Sequence, residues 1–84
     1  MGRPILLDLT HGAAVVIDDD DLVLVADLTL YLGTNGYVYY SCWENGRSRP
    51  RTLHSLLIGV HRDRHVDHIN GDKLDNRRSN LRVV

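Results

Sequence analysis

The stretch that most narrows what this chain can fold into runs from Arg64 to Val84. Val66-Asp67-His68 and Leu81-Arg82-Val83 read as two short strands. Between them come a polar loop around Asn70-Gly71 and a single helical turn before Asn80. Asp67 and His68 stand side by side at the end of the first strand, and Asn80 follows His68 by twelve residues. Neighbouring strand side chains point to opposite faces. Asp67 and His68 can therefore address one ligand only if the strand end bends, and Asn70-Gly71 is the bend the sequence offers.

Upstream, turn chemistry sets the order of elements. Ile5–Leu9 and Ala13–Ile17 are apolar runs separated by Thr10-His11-Gly12, which predicts two strands joined by a tight turn. Asp18–Asp21 breaks the second run. Carboxylates accept the free N–H groups of a first helical turn, so this cluster is expected to cap a short helix over about residues 20–27, with a strand starting at Leu28. Four consecutive Asp side chains cannot converge on one metal ion in either regular structure, so a solvated cap is the preferred reading.

Asn35-Gly36 and Asn45-Gly46 are type I′ turn signals. They bracket the alternating, aromatic Tyr37–Trp43, and Arg47–Leu53 returns as its partner. Leu28–Leu53 thus reads as a three-stranded antiparallel meander, with Pro50 confining the last strand to an edge. Trp43 and the tyrosines are read as strand packing rather than as base-stacking groups. Thr52–Gly59 reads as a short helix, with Thr52 as N-cap, Leu53, Leu56 and Leu57 on one apolar face, and Gly59 as left-handed terminus.

Eighty-four residues suffice for one small domain, 1–84, with an acidic β-rich part over 1–53 and a basic part over 54–84. The overall charge of −1 hides a division. Residues 1–46 hold seven acids and one base, a net of −6, and residues 47–84 hold nine bases and four acids, a net of +5. A basic half carrying the Asp-His motif favours a polyanionic partner. The single Cys42 excludes an internal disulfide. No apolar run approaches membrane-spanning length and no signal pattern opens the chain, so a cytoplasmic protein without a membrane partner is expected.

The run Asp67-His68-Ile69-Asn70-Gly71-Asp72, followed by Asp75-Asn76-Arg77 and Asn80-Leu81-Arg82, resembles the HNH (His-Asn-His) endonuclease motif in the form common in phage and intron-encoded nucleases. The likeness is close over residues 65–84. It continues more loosely through Thr52–Ile58, which looks like the His-containing segment upstream of that motif, and through Gly12–Gly36. The fold class expected is therefore α+β: a small antiparallel meander with one or two short helices, then a ββα-metal hairpin.

The resemblance implies hydrolysis of DNA phosphodiesters with one divalent ion, Mg²⁺ or Mn²⁺. It makes Asp67 the metal ligand and His68 the general base, a role that suits a neutral imidazole. Asn80 would tie the loop to the strand and orient His68, while Asp75 and Asn76 organise the loop through side chain–backbone hydrogen bonds. Lys73, Arg77, Arg78, Arg82, Arg64 and His54 are the candidate DNA contacts. The four-cysteine zinc frame of some relatives is excluded by the cysteine count. His61 and His65 have a helical metal-ligand spacing, but Gly59 argues against a helix there and surface histidines are the plainer reading.

The motif departs from the family pattern in one respect. The final metal-binding residue belongs on a helix after the second strand, and the chain ends at Val84, four residues beyond Asn80. A hairpin lacking that helix is expected to expose Leu81 and Val83 unless another chain covers them. Three readings follow. The chain is a metal-dependent nicking endonuclease, with the missing ligand supplied by another residue or a second subunit. Alternatively it is an inactive remnant that binds DNA, a protein or a second copy of itself, such as a phage-encoded inhibitor of a host nucleic-acid-handling complex. Or it is a piece of a longer nuclease.

Overall fold

A computed structural model describes residues 2–9, 12–59 and 64–84. The order is β1 (Pro4–Asp8), β2 (Ala14–Asp18), a 3-10 turn (Asp19–Asp21), α1 (Leu22–Val25), β3 (Leu30–Leu32), β4 (Val38–Glu44), β5 (Arg47–Thr52), α2 (Leu53–Ile58), β6 (Val66–His68), a second 3-10 turn (Arg78–Asn80) and β7 (Leu81–Val83). Among the described residues three antiparallel sheets result, β1-β2, β3-β4-β5 and β6-β7, in an α+β architecture.

In β2 the alternation works as a half-buried strand requires: Val15 and Ile17 are fully buried, while Ala14, Val16 and Asp18 on the other face are half-buried. In β1, Ile5 and Leu7 pack against the core and Leu6 is left outside, 69% exposed. Thr10 and His11 of the connecting turn lie outside the described residues. The core that these strands begin is continued by Val25, Val38, Leu53, Leu57 and Leu81. It therefore draws on every sheet and both helices.

The meander forms in the expected order. Leu30 faces Tyr40 across β3-β4, and Glu44 faces Arg47 across β4-β5. Asn45 (φ 50°) and Gly46 (φ 74°) give the type I′ turn between β4 and β5. Asn35-Gly36 does not: among the described residues only Asn45 and glycines have positive φ, so a single left-handed residue, Gly36, closes that loop. Pro50 lies in β5, an edge strand whose outer side needs no donor. Trp43 is 74% exposed, which corrects the expectation of packing, whereas Tyr31 and Tyr39 do stack across strands at 5.9 Å.

The acidic run departs most from expectation. The helix over 20–27 is realised only as a 3-10 turn followed by the four residues of α1, and neither Asp18 nor Asp21 caps its helix through a side chain. Asp19 Oδ1 accepts the Arg3 amide at 2.9 Å, Asp18 Oδ2 accepts the Arg78 amide at 3.0 Å, and Asp21 takes the Arg78 guanidinium. The run is a tertiary anchor. Likewise Thr52 makes no cap bond and its hydroxyl donates to Ser55 Oγ instead, while Gly59 closes α2 in the left-handed region as expected.

Helix α2 decides the state of the terminal hairpin, because it packs against both β6 and β7. Leu81 is consequently buried within the core, contrary to the expectation of an uncovered hairpin; Val83 is 39% exposed. No helix among the described residues is long and apolar enough to cross a membrane.

Candidate active site

The β6-β7 hairpin pairs Val66 with Val83, Asp67 with Arg82 and His68 with Leu81. Strand alternation sends His68 and Leu81 to the buried side and Asp67 and Arg82 to the outer side. The loop between the strands is held by two systems of bonds. Outwardly, the Val16 amide donates to the Leu74 carbonyl and the Asn76 amide to the Val16 carbonyl, both at 2.8 Å, which fixes the loop to β2. Inwardly, Asn80 Nδ2 donates to Asn70 Oδ1 and to the Asp75 carbonyl at 2.9 Å, and its Oδ1 accepts the Asn70 amide at 3.0 Å. Asn80 is thus the tie between the two ends of the loop.

His68 is oriented by a different residue. Its Nε2 lies 2.8 Å from Oδ1 of Asn76, a side chain with no exposure at all. Asn76 Nδ2 donates to the Lys73 carbonyl, which identifies Oδ1 as the acceptor on the His68 side. A carbonyl oxygen cannot donate, so Nε2 carries the hydrogen and Nδ1 is left with the lone pair of the neutral ring. His68 itself is nearly buried, 6% exposed, so Nδ1 is reached only past the rings packed around it. The Asn76 contact thus holds the imidazole in one tautomer, as a general base requires. The expectation that Asn80 orients His68 is therefore corrected: Asn80 shapes the loop and Asn76 makes the contact.

A second imidazole borders the first. His54, the second residue of α2, meets the His68 ring edge-on at 5.0 Å between centroids, and Tyr37 lies 5.3 Å from His54 and 5.8 Å from His68. Burial lowers the His54 pKa to about 4, with the neighbouring His68 adding to the effect, so His54 is neutral near pH 7. Beyond His54 opens a groove of about 320 Å³ lined by Asn35, Tyr37, Thr52, Arg64 and His65 among others. Two of its lining residues hold Lys73, which donates to the Asn35 carbonyl at 2.8 Å with Nζ 4.6 Å above the Tyr37 ring.

The remaining candidate residues are spoken for in ways the sequence does not show. Arg77 binds Asp75 in a fork, Nε to Oδ1 at 2.8 Å and Nη2 to Oδ2 at 2.7 Å. These bonds hold the Asp75 carboxyl below its ordinary value and raise Arg77. Arg78 grips the buried Asp21 the same way and is raised for the same reason. Arg82 donates twice to Asp67 Oδ2, at 3.1 and 2.8 Å. Arg64 and His65 are exposed at the groove, and His61 lies outside the described residues.

Asp67 and His68 are not brought to one point. Asp67 is half-buried on the outer face, and only its Oδ1 is free of Arg82. As a donor set this offers a hard cation one carboxylate oxygen. The described residues contain no cluster of three or more His, Cys, Asp or Glu side chains able to hold a metal ion.

A family model described as HNH endonuclease matches residues 60–84. Comparison with curated proteins gives no match. Comparison with solved structures gives none either. The matched segment contains the whole β6-β7 hairpin, His68 with its Asn76 partner, and the Asn80 tie across the loop. By this match the chain carries, over residues 60–84, the motif segment of the HNH endonuclease family.

Proposed function

We propose that the protein is a metal-dependent DNA endonuclease of the phage or mobile-element type, its terminal hairpin serving as the ββ part of a ββα-metal site. The observation that carries this reading is His68, fixed in one tautomer by Asn76 inside a segment that matches the nuclease family. His68 Nδ1 takes the proton of the attacking water as that water forms its bond to phosphorus; the bond from phosphorus to the bridging oxygen breaks, and that oxygen leaves on the cut strand, taking a proton from solvent. A divalent ion, Mg²⁺ or Mn²⁺, would neutralise charge on the phosphate and the leaving oxygen. Asp67 Oδ1, the oxygen this chain offers it, lies on the hairpin face opposite His68, so both would serve one phosphate only with the strand end bent. One carboxylate with waters would bind such an ion weakly. Asn76 keeps His68 in the productive tautomer, and Asn80 keeps the loop that carries Asn76 in place.

Nicking of supercoiled plasmid tests the proposal. Cleavage with Mg²⁺ or Mn²⁺, abolished by EDTA and reduced about 10²- to 10⁴-fold in His68→Ala, is the expected result. Folded wild-type protein that never nicks at millimolar ion would defeat it. A second reading, a remnant that binds DNA or a protein without cutting, is favoured by one observation: Asp67 and His68 face opposite sides of the hairpin. Nicking abolished in His68→Ala removes that alternative.

A further inference from the structure

Two groups of bases among the described residues, alike in the sequence, differ in what holds them. In the terminal loop, Arg77, Arg78 and Arg82 are each bound to a carboxylate, and Lys73 is bound to a carbonyl over an aromatic ring. An ion-paired arginine offers little net charge to a phosphate. On the β4-β5 ribbon, Arg51 is paired with Glu44, but Arg47 and Arg49 are exposed and make no ion pair with a described residue. The register sets these three on one face, Arg47 opposite Glu44, Arg49 opposite Cys42 and Arg51 opposite Tyr40. The other face carries the exposed Trp43 beside Ser48 and Ser41.

We propose that the β4-β5 ribbon is the element that docks on duplex DNA, entering the major groove with Arg47 and Arg49 against its phosphates. This rests on the endonuclease reading and names the surface through which the substrate is held. Shape and charge both support it. A two-stranded ribbon fits a groove about 12 Å wide. The six residues of β5 span about 20 Å, far enough to follow the groove wall. The tight Asn45-Gly46 turn gives the ribbon a narrow leading edge. Position supports it as well: β5 ends at Thr52 and α2 starts at Leu53, so the ribbon runs without a linker into the helix that sets His54 against His68. Docking the ribbon therefore fixes where the candidate base meets the backbone.

The test is equilibrium binding of the full chain to a fluorescent B-form DNA duplex in EDTA, which prevents cleavage, followed across a salt series. The combined Arg47→Ala, Arg49→Ala variant is expected to lower the slope of log K against log salt by about 2, near 0.9 for each phosphate the protein no longer neutralises. The corresponding Arg→Lys pair should restore the slope, because it restores the charge. Arg82→Ala should change the slope by less than about 0.5. Duplex RNA should bind more weakly, because its A-form major groove is too narrow for a ribbon. Wild-type binding whose slope survives the double Ala substitution overturns the ribbon and leaves the nuclease reading intact. Equal affinity for duplex RNA also overturns it. No binding of duplex DNA by folded wild-type protein overturns both.

Discussion

The terminal loop and the β4-β5 ribbon are both rich in arginine, yet their charges do opposite things. In the loop every guanidinium closes on a carboxylate, two of them in forked pairs, and the polar atoms of Asn70, Asn76 and Asn80 are all bonded. On the ribbon the tip arginines stand in water. A loop made of interlocked polar groups has one geometry, which the proposed role of His68 as a base needs. A ribbon of free charges has reach, which a docking surface needs. Arginine content alone does not tell these uses apart.

The sharpest way to break the contrast is to release the loop from β2 and its acidic turn. Arg78→Ala leaves the nearly buried Asp21 without its partner, and urea denaturation should show a loss of about 3 kcal/mol. A double-mutant cycle with Asp21→Asn should return most of that loss; simple additivity would show that the pair does not hold the loop. Slightly smaller is Asn76→Ala, about 2 kcal/mol from the unpaired His68 Nε2–H, together with a nicking rate close to that of His68→Ala.

Acid sharpens the comparison from the histidine side. His54 is neutral in the fold, with a value near 4 against 6.5 in an unfolded chain. As pH falls the unfolded chain takes its proton first, so the stability due to neutral His54 is complete above about 6.5 and drains away toward pH 4. The loss approaches about 2–3 kcal/mol, and His54→Gln should flatten that window. The depressed Asp75 carboxyl adds a separate loss at lower pH, as it is protonated through its folded value. A wild-type melting profile flat between pH 7 and 4.5 would contradict the placement of His54.

Weaker effects are expected at the exposed pair. Arg82→Ala should cost less than about 1 kcal/mol, and by freeing Asp67 Oδ2 it should tighten Mn²⁺ binding measured by calorimetry. Unchanged Mn²⁺ affinity would mean that Asp67 is not the ligand. Smallest of all, Arg47→Ala and Arg49→Ala should each leave stability within about 0.5 kcal/mol while weakening DNA binding.

Much of the scaffold is legible in the chain because its signals are local. Alternation places β2 and β4, Asn45-Gly46 sets one turn, Gly59 closes α2, and the His68–Asn80 spacing marks the hairpin with its helical turn. The departures share a cause. The acidic run reads as a helix cap because capping is a local use of carboxylates, but Asp18 and Asp21 are taken by Arg78, at separations of 60 and 57 residues. Asn80 and Asn76 are both amides in one loop, and only the fold of that loop shows that Asn76 is the one that reaches the imidazole.

What the sequence by itself determined is the set of short strands, the turns between β4 and β5 and after α2, and a histidine in a nuclease-like motif. Tertiary structure decided which charges remain free, which amide holds His68, and that α2 covers the hairpin and sets His54 beside it. The physical reason is range. Backbone periodicity and turn stereochemistry are properties of a few adjacent residues, whereas an ion pair or a ring contact exists only after distant segments have met, and composition carries no record of which partner each charge will find.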